Sequence, residues 1–157
     1  MLQRQKFEDE KRKLNDSTFE LFEGFPNSCP LATKKWANAF FIYAENIIPP
    51  SNTVSVAKSA AEAVLLGICS ANSFNQSVII FTNAVIEFAQ QIMPGFIMTQ
   101  FSGVMPTYQL NLFPIFIKAI NGGSAYDFAV ELSTEIDNWF KTGTAININN
   151  GLTINWE

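Results

Sequence analysis

The sequence predicts an all-α fold, a single-domain bundle of about five helices, preceded by a helical arm and followed by a short β-hairpin. Three observations support this fold class. Apolar residues recur at helical spacing over most of the chain, clusters of proline, glycine and asparagine interrupt that spacing, and the last 13 residues alternate apolar and polar side chains. With 157 residues and 48% hydrophobic content, the chain can bury a substantial core.

A charged N-terminal arm is predicted over residues 1–23. It holds 11 charged side chains and is rich in good helix formers, which favours a helix. Phe7 and Leu14 are spaced by one heptad, but most neighbouring heptad positions are polar, so a coiled coil is not expected. The arm can bury little of itself, and we expect Phe7 and Leu14 to contact a partner. Residues 24–30, with two prolines, are predicted to be a linker.

The helical domain is predicted over residues 31–144. Its helices are expected at about residues 31–48, 53–69, 77–93, 108–120 and 124–141. Ser51, Asn52 or Thr53 is expected to cap the second helix, and Ser124 with Asp127 resembles a capping box that opens the last one. The residues expected in the core are Trp36, Phe40, Val64, Phe81, Val85, Phe88, Ile136 and Phe140.

Residues 96–107 are predicted to be a loop, although they are unusually apolar for one. Connections between elements normally lie in water. Phe96, Met98, Phe101 and Met105 are therefore expected either to contact a partner or to pack on the core.

The C-terminal segment, residues 145–157, is predicted to form a β-hairpin. Asn150-Gly151 is typical of a two-residue type I′ turn, and the flanking residues alternate with a period of two. Because an isolated hairpin is marginally stable in water, it must lie on the helical body or on a neighbouring subunit. The hairpin residues expected to contact a partner are Ile146, Ile148, Ile154 and Trp156.

Charge is scarce outside the arm. Residues 24–157 carry only 13 charged side chains, whereas a typical soluble domain is about a quarter charged. A surface so poor in charge is best explained if much of it meets other protein. The chain has no histidine, which rules out Ser–His and Cys–His catalysis. We therefore expect no enzyme activity and no cofactor.

Several other classes of partner are also not expected. The net charge is −4 and no cationic stripe is present, which argues against binding to nucleic acid. Amides, serines and prolines interrupt the charge-poor stretches, so no membrane association is predicted. The chain begins without the apolar segment of a secretory signal, and Cys29 and Cys69 are accordingly expected to be reduced thiols in a cytoplasm-like compartment. Two cysteines without histidine also make a structural zinc site unfavourable.

Two alternatives to an assembly role remain open. The excess of Phe, Ile and Met would also suit a helical binding protein whose apolar cavity holds a lipid-like or peptide ligand. Asp127, Glu131 and Glu135 share one face of the last helix, where they could bind a hard cation in a metal-dependent hydrolase. A solvated acidic face explains the same spacing, and no metal site is predicted.

Several short stretches resemble small virion structural proteins of tailed bacteriophages. They are Lys35-Trp-Ala-Asn-Ala and Ile47-Ile-Pro-Pro50 around the first helix, Ile136-Asp-Asn-Trp-Phe-Lys-Thr-Gly-Thr-Ala145 and the final Gly151-Leu-Thr-Ile-Asn-Trp156. The resemblance implies no catalytic residue. With the scarcity of charge, it predicts a non-enzymatic structural subunit of a phage capsid, neck or tail. Such a protein would be assembled in the host cytoplasm and found in the virion, where it would contact other virion proteins or further copies of itself.

Overall fold

The computed structural model describes Arg4 and residues 28–157. Within them the chain forms five α-helices, two 3-10 helices and three strands. The α-helices are α1 (Cys29–Ala44), α2 (Val54–Leu65), α3 (Phe74–Ile92), α4 (Phe113–Ile120) and α5 (Ala125–Phe140). The 3-10 helices cover Leu66–Ser70 and Met93–Thr99, and the strands are β1 (Phe101–Val104), β2 (Thr144–Asn147) and β3 (Thr153–Asn155).

The five predicted helices are confirmed, with shifts at their ends. α1 begins at Cys29, inside the predicted linker, because Pro30 lies in the first turn, where its missing N–H is not needed. Ser28 caps α1 and Ser73 caps α3, each accepting a backbone N–H with its hydroxyl. Ser124 caps α5 as expected, accepting from the backbone N–H of Asp127 at 3.0 Å.

The hydroxyls before α2 have a different role from the predicted one. Thr53 makes no side-chain cap on α2. Instead its Oγ1 donates to the carbonyl oxygen of Gln91 at 2.6 Å, and Ser51 Oγ donates to that of Ile92 at 2.7 Å. These bonds satisfy carbonyls at the end of α3, which would otherwise lack partners. They tie the turn after α1 to the last turn of α3.

The core lies between α1, α2, α3, α5 and the sheet. Six of the eight predicted core residues are buried, whereas Trp36 and Val64 are half-buried and pack against the core from its edge. Aromatic rings connect the layers: Phe40 contacts Phe88 with centroids 5.7 Å apart, and Phe88 contacts Phe140 at 6.3 Å. Small residues on α2 and α3 let these two helices approach closely; the fully buried ones are Ala57, Ala61, Ala84 and Ala89.

The predicted loop and the predicted hairpin form one antiparallel sheet with the order β1-β2-β3. Residues 96–107 are therefore not simply a loop, since they contribute a 3-10 turn and an edge strand. Phe101 lies opposite Asn147, and Val104 lies opposite Thr144. Residues 145–157 are correspondingly not an isolated hairpin, and the all-α description is too narrow. The fold is mostly helical with a small three-stranded sheet.

The type I′ turn was predicted wrongly. Such a turn needs positive φ at both central residues, but here only Gly151 has it, at 73°. The turn spans four residues, 148–151, and its ends are joined by Asn147 N–H donating to the carbonyl oxygen of Leu152. Asn147 Oδ1 accepts from the backbone N–H groups of Asn149 and Asn150, which holds the turn from inside.

The expectation of free thiols was also wrong. Cys29 and Cys69 form a disulfide with Cα atoms 5.7 Å apart, within the usual range for such bridges. The bond joins the start of α1 to the end of the first 3-10 helix and closes a loop across 40 positions of sequence.

Candidate protein-interaction surface

Two of the predicted contact residues are core residues. Phe96 and Trp156 are both fully buried, and their ring centroids lie 5.5 Å apart. Trp156 also contacts Phe140 at 6.0 Å and donates its indole N–H to the carbonyl oxygen of Thr144 at 2.9 Å. The prediction that Phe96 and Trp156 contact a partner is therefore corrected, because these rings anchor the sheet to the helices.

Three further predicted residues point inward without being fully covered. Phe101, Met105 and Ile154 are half-buried and pack against the core. The register explains this for Ile154, which lies opposite the buried Ala145 and so shares the inner face of the sheet. These three residues pack between the sheet and the helices and offer little area to a partner.

The remaining described candidates are exposed. Met98 is 74% exposed, Ile148 62% and Ile146 38%. Phe7 and Leu14 lie outside the described residues. Arg4, the one described residue of the arm, has helical backbone and donates from Nη1 to Thr134 Oγ1 on α5 at 3.1 Å.

Two exposed residues that sequence reasoning missed complete the surface. Ile97 is 63% exposed and Leu152 is 56% exposed. With Met98 and Ile148 they are four of the five most exposed large hydrophobic residues in the described part of the chain. Ile97 and Met98 belong to the second 3-10 helix, Ile148 to the hairpin turn, and Leu152 follows the turn directly. We call the group of Ile97, Met98, Ile148 and Leu152 the apolar tip.

Hydrogen bonds bring the two parts of the apolar tip together. The carbonyl oxygen of Gln100 accepts from the Ile148 backbone N–H at 2.9 Å, and its Oε1 accepts from Asn149 Nδ2 at 2.7 Å. Gln100 has a left-handed backbone with φ of 65°, and its backbone N–H donates to the carbonyl oxygen of Ile97 at 2.9 Å. A non-glycine residue is uncommon in this conformation, and here it turns the chain from the 3-10 helix into β1. The tip is therefore presented on a backbone held by several bonds.

The outer face of the sheet continues this surface. Ser102, Ile146 and Thr153 lie opposite one another across the three strands and are all exposed. Val104, 42% exposed, lies on the same face two residues further along β1. Gly103, on the other face, allows the strand to pass close to Met93, since a Cβ added there would lie 2.8 Å from that side chain.

Neither segment that forms the surface contains a charged residue. The sequence has none between Glu87 and Lys118, and none between Lys141 and Glu157. An exposed surface that combines apolar side chains with amides and hydroxyls is typical of protein contacts.

A shallow cleft lies elsewhere on the molecule, between α3 and the segment before α4. Its volume is about 220 Å³, below the 300–1,000 Å³ usual for small-molecule sites. Its floor and rim combine aliphatic side chains with amides and a hydroxyl. The residues that line it are Val78, Ile79, Thr82, Asn83, Ile86, Gln109, Leu110, Asn111 and Phe113. We call this the α3 cleft.

One buried carboxylate could suggest chemistry, but its partners explain it. Asp137 is 4% exposed and accepts from Tyr43 Oη at 3.0 Å and from Lys141 Nζ at 2.8 Å. Lys141 follows Asp137 by four residues, so this ion pair lies along one face of the last helical turn. Burial first, and then the charge of Asp137 and its hydrogen bond, raise the pKa of Tyr43 well above its usual value. The group joins α1 to α5.

The acidic face of α5 is half-exposed to exposed. Asp127 is exposed, while Glu131 and Glu135 are half-buried, and Glu131 pairs with Lys118 of α4. Within Arg4 and residues 28–157, no three histidine, cysteine or acidic side chains are grouped so that they could hold a metal ion. The described residues also contain no helix that is both long and apolar enough to span a membrane.

Comparison with known proteins finds no matching family model, no similar curated protein and no similar solved structure.

Proposed function

We propose that this chain is a non-enzymatic structural subunit of a multimeric particle, and specifically of a phage capsid, neck or tail. The observation that carries the proposal is the apolar tip: four large hydrophobic side chains, each more than half exposed, on a hydrogen-bonded and uncharged support. The virion assignment draws on the resemblance of the sequence motifs to small virion proteins.

The size of the exposed apolar surface supports a contact role. From their exposed fractions, the four tip residues together expose about 500 Å² to water, and exposed hydrophobic surface beyond scattered single residues often marks a protein contact. Val104 and Ile146 extend it across the outer face of the sheet. A backbone that is already held by hydrogen bonds loses less entropy on binding, so a held tip favours binding more than a loose loop would.

The disulfide fits a particle that leaves its host. Disulfides are rare in a reducing cytoplasm but persist on virion surfaces and in other oxidising settings. Cys29 and Cys69 are both exposed, so oxidation can follow release without unfolding of the core. On this proposal, the chain is assembled in the host cytoplasm with its thiols reduced and carries the disulfide in the released virion.

The experiment is native mass spectrometry of the chain co-expressed with the products of its neighbouring genes. We expect the natural chain in multimeric complexes and the tip variant Ile148→Asp in none, because the new charge would be buried without a partner. Val56→Asp is the matched control, since Val56 is 55% exposed on α2, far from the tip in sequence. If all three chains remain monomeric, or if Ile148→Asp assembles like the natural chain, the proposed function is wrong.

A further inference from the structure

We propose that the Cys29–Cys69 disulfide is a site of thiol–disulfide exchange, in which a small thiol such as glutathione attacks the sulfur of Cys69 and releases Cys29 as a thiolate. The inference goes beyond the proposed structural function and does not depend on it. It follows from the exposure of the bond, from the segments that the bond joins and from the different surroundings of its two sulfurs.

The bond is open to attack in the folded chain. Cys29 and Cys69 are both exposed. Their neighbours leave the approach free, since residues 28–31 and Ser70 are exposed as well. Exposed disulfides are the ones that take part in exchange, whereas well-protected structural ones resist reduction.

The two segments that the bond joins carry no buried side chain near it. The 3-10 helix Leu66–Ser70 contains no buried residue. At the other end of the bond, the first buried residue of α1 is Thr33, about one turn after Cys29. Cleavage therefore loosens the start of α1 and the connection between α2 and α3, and it leaves the core between the helices in place.

The two sulfurs have different surroundings. Cys29 is the first residue of α1, a helix of 16 residues. The N-terminus of a helix carries a partial positive charge, which favours a thiolate over a thiol, and Lys34 and Lys35 follow in the second turn. Cys69 lies instead in a short 3-10 helix, within a stretch that has no charged residue between Glu62 and Glu87. Cys29 therefore forms the more stable thiolate of the two.

This difference sets the direction of the exchange. The attacking thiolate forms a bond to Cys69 Sγ, while the bond between the two Sγ atoms breaks and its electron pair leaves with Cys29. The sulfur that forms the more stable thiolate is the better leaving group, and the helix dipole favours release of Cys29 by about two- to fivefold.

A second step completes the reduction. Another glutathione thiolate attacks the glutathione sulfur of the mixed disulfide and frees Cys69. Two glutathione molecules are thereby oxidised to one disulfide, and the two cysteines take up the two protons that the glutathione thiols have lost.

The first test uses the full-length oxidised chain with reduced glutathione at neutral pH and without denaturant. N-ethylmaleimide stops each sample, and trypsin then separates the cysteines into residues 14–34 and residues 59–118. We expect early mixed disulfides on Cys69 about two- to fivefold more often than on Cys29, followed by two free thiols. The far-UV circular dichroism of the helices should not change during the reaction.

The second test compares two matched variants that both lack the bridge. Cys69→Ser keeps only the Cys29 thiol, and Cys29→Ser keeps only the Cys69 thiol. Iodoacetamide should alkylate Cys29 about 1.5- to 2-fold faster, because a larger thiolate fraction outweighs the lower nucleophilicity of the more acidic thiol. In denaturing urea α1 is lost, and the two rates should become equal.

Two results would overturn the proposal. If glutathione leaves the bond intact until the helical signal is lost, the disulfide is a structural bridge and not a site of exchange. If early adducts lie equally on both cysteines or mainly on Cys29, the assigned direction is wrong. Neither result bears on the assembly role, which native mass spectrometry tests separately.

Discussion

Replacement of Trp156 tests whether the sheet that presents the tip is one body with the helices. Trp156 is fully buried, and its ring contacts Phe96 and Phe140. The Gly143 backbone lies directly against the ring, since a Cβ added there would lie 2.5 Å from it. We predict that Trp156→Ala lowers the free energy of unfolding of the whole chain by a large fraction.

The size of this loss follows from burial. An aromatic side chain of this size buries about 150–250 Å², which at 25 cal/mol per Å² corresponds to about 4–6 kcal/mol. Measured Trp→Ala substitutions in cores cost about 3–5 kcal/mol. Trp156→Phe keeps a ring but removes the N–H that satisfies the Thr144 carbonyl, and we expect a loss of about 1–3 kcal/mol.

Urea unfolding monitored by far-UV circular dichroism measures the loss of stability through the signal of the helices, which do not contain Trp156. Trp156→Ala should move the helical transition to lower urea without splitting it. Leu152→Ala is the control from the same hairpin, because Leu152 is 56% exposed and its loss should change stability by less than about 0.5 kcal/mol. If Trp156→Ala leaves the helical transition within about 1 kcal/mol of the natural chain, the sheet is not anchored as described.

Two further predictions concern the helical body. Tyr43→Phe should cost about 1–3 kcal/mol at neutral pH in urea unfolding, because the buried Asp137 loses a hydrogen-bond donor. Because the pKa of Tyr43 is raised by burial and then by Asp137, Tyr43 in the folded chain keeps a proton that the unfolded chain releases above pH 10. The contribution of Tyr43 to stability should be constant below that pH and fall above it by up to about 1.4 kcal/mol per pH unit. Tyr43→Phe should lose most of this decrease in stability at alkaline pH and keep the part that is due to Tyr108, because burial also raises the pKa of Tyr108. An unchanged decrease would contradict its assignment to Tyr43. Replacing Cys29 and Cys69 with serine should lower the stability of the oxidised chain by about 4 kcal/mol for a 40-residue loop, and the intact mass before and after reduction should differ by two hydrogen atoms. Equal stability of the oxidised chain and the double serine variant would refute the disulfide's contribution.

The helices that form the core were predictable because each of them buries a stripe of apolar residues. Phe40 and Tyr43 on α1 and Phe81, Val85 and Phe88 on α3 recur at intervals of three or four, and all five are buried. This pattern is local, so a single sequence displays it. The ends of the helices were less predictable, because Pro30 can lie in a first turn as readily as it can end a linker.

The sheet was only half predictable because one of its strands is paired over a long distance. β1 has four residues and includes Gly103, so its own sequence is a poor strand pattern. Its partner, β2, lies about 40 residues away, and nothing local indicates the pairing. The unusual apolarity of residues 96–107 was the available sign that this segment packs against something.

The tip was predicted in part, and the error at Trp156 has a clear cause. Alternation separates the two faces of a hairpin but does not say which face is buried. In both the predicted and the observed register, Ile146 and Ile154 lie on opposite faces, so they could not both contact one partner. A tryptophan ring has a large apolar area to bury, so the face of the hairpin that carries Trp156 is the one expected to pack on the core. Ile154 lies on that same face and would have been assigned to the inside with it.

The most direct test of the central claim is site-specific photo-crosslinking in assembled material. A photoreactive amino acid at position 98 or 148 should form covalent adducts with another protein chain, and position 56 should form few, although Val56 is comparably exposed. Peptide mapping would then identify the partner. If positions 98 and 148 crosslink no more than position 56, the apolar tip does not meet protein and the assembly role is contradicted.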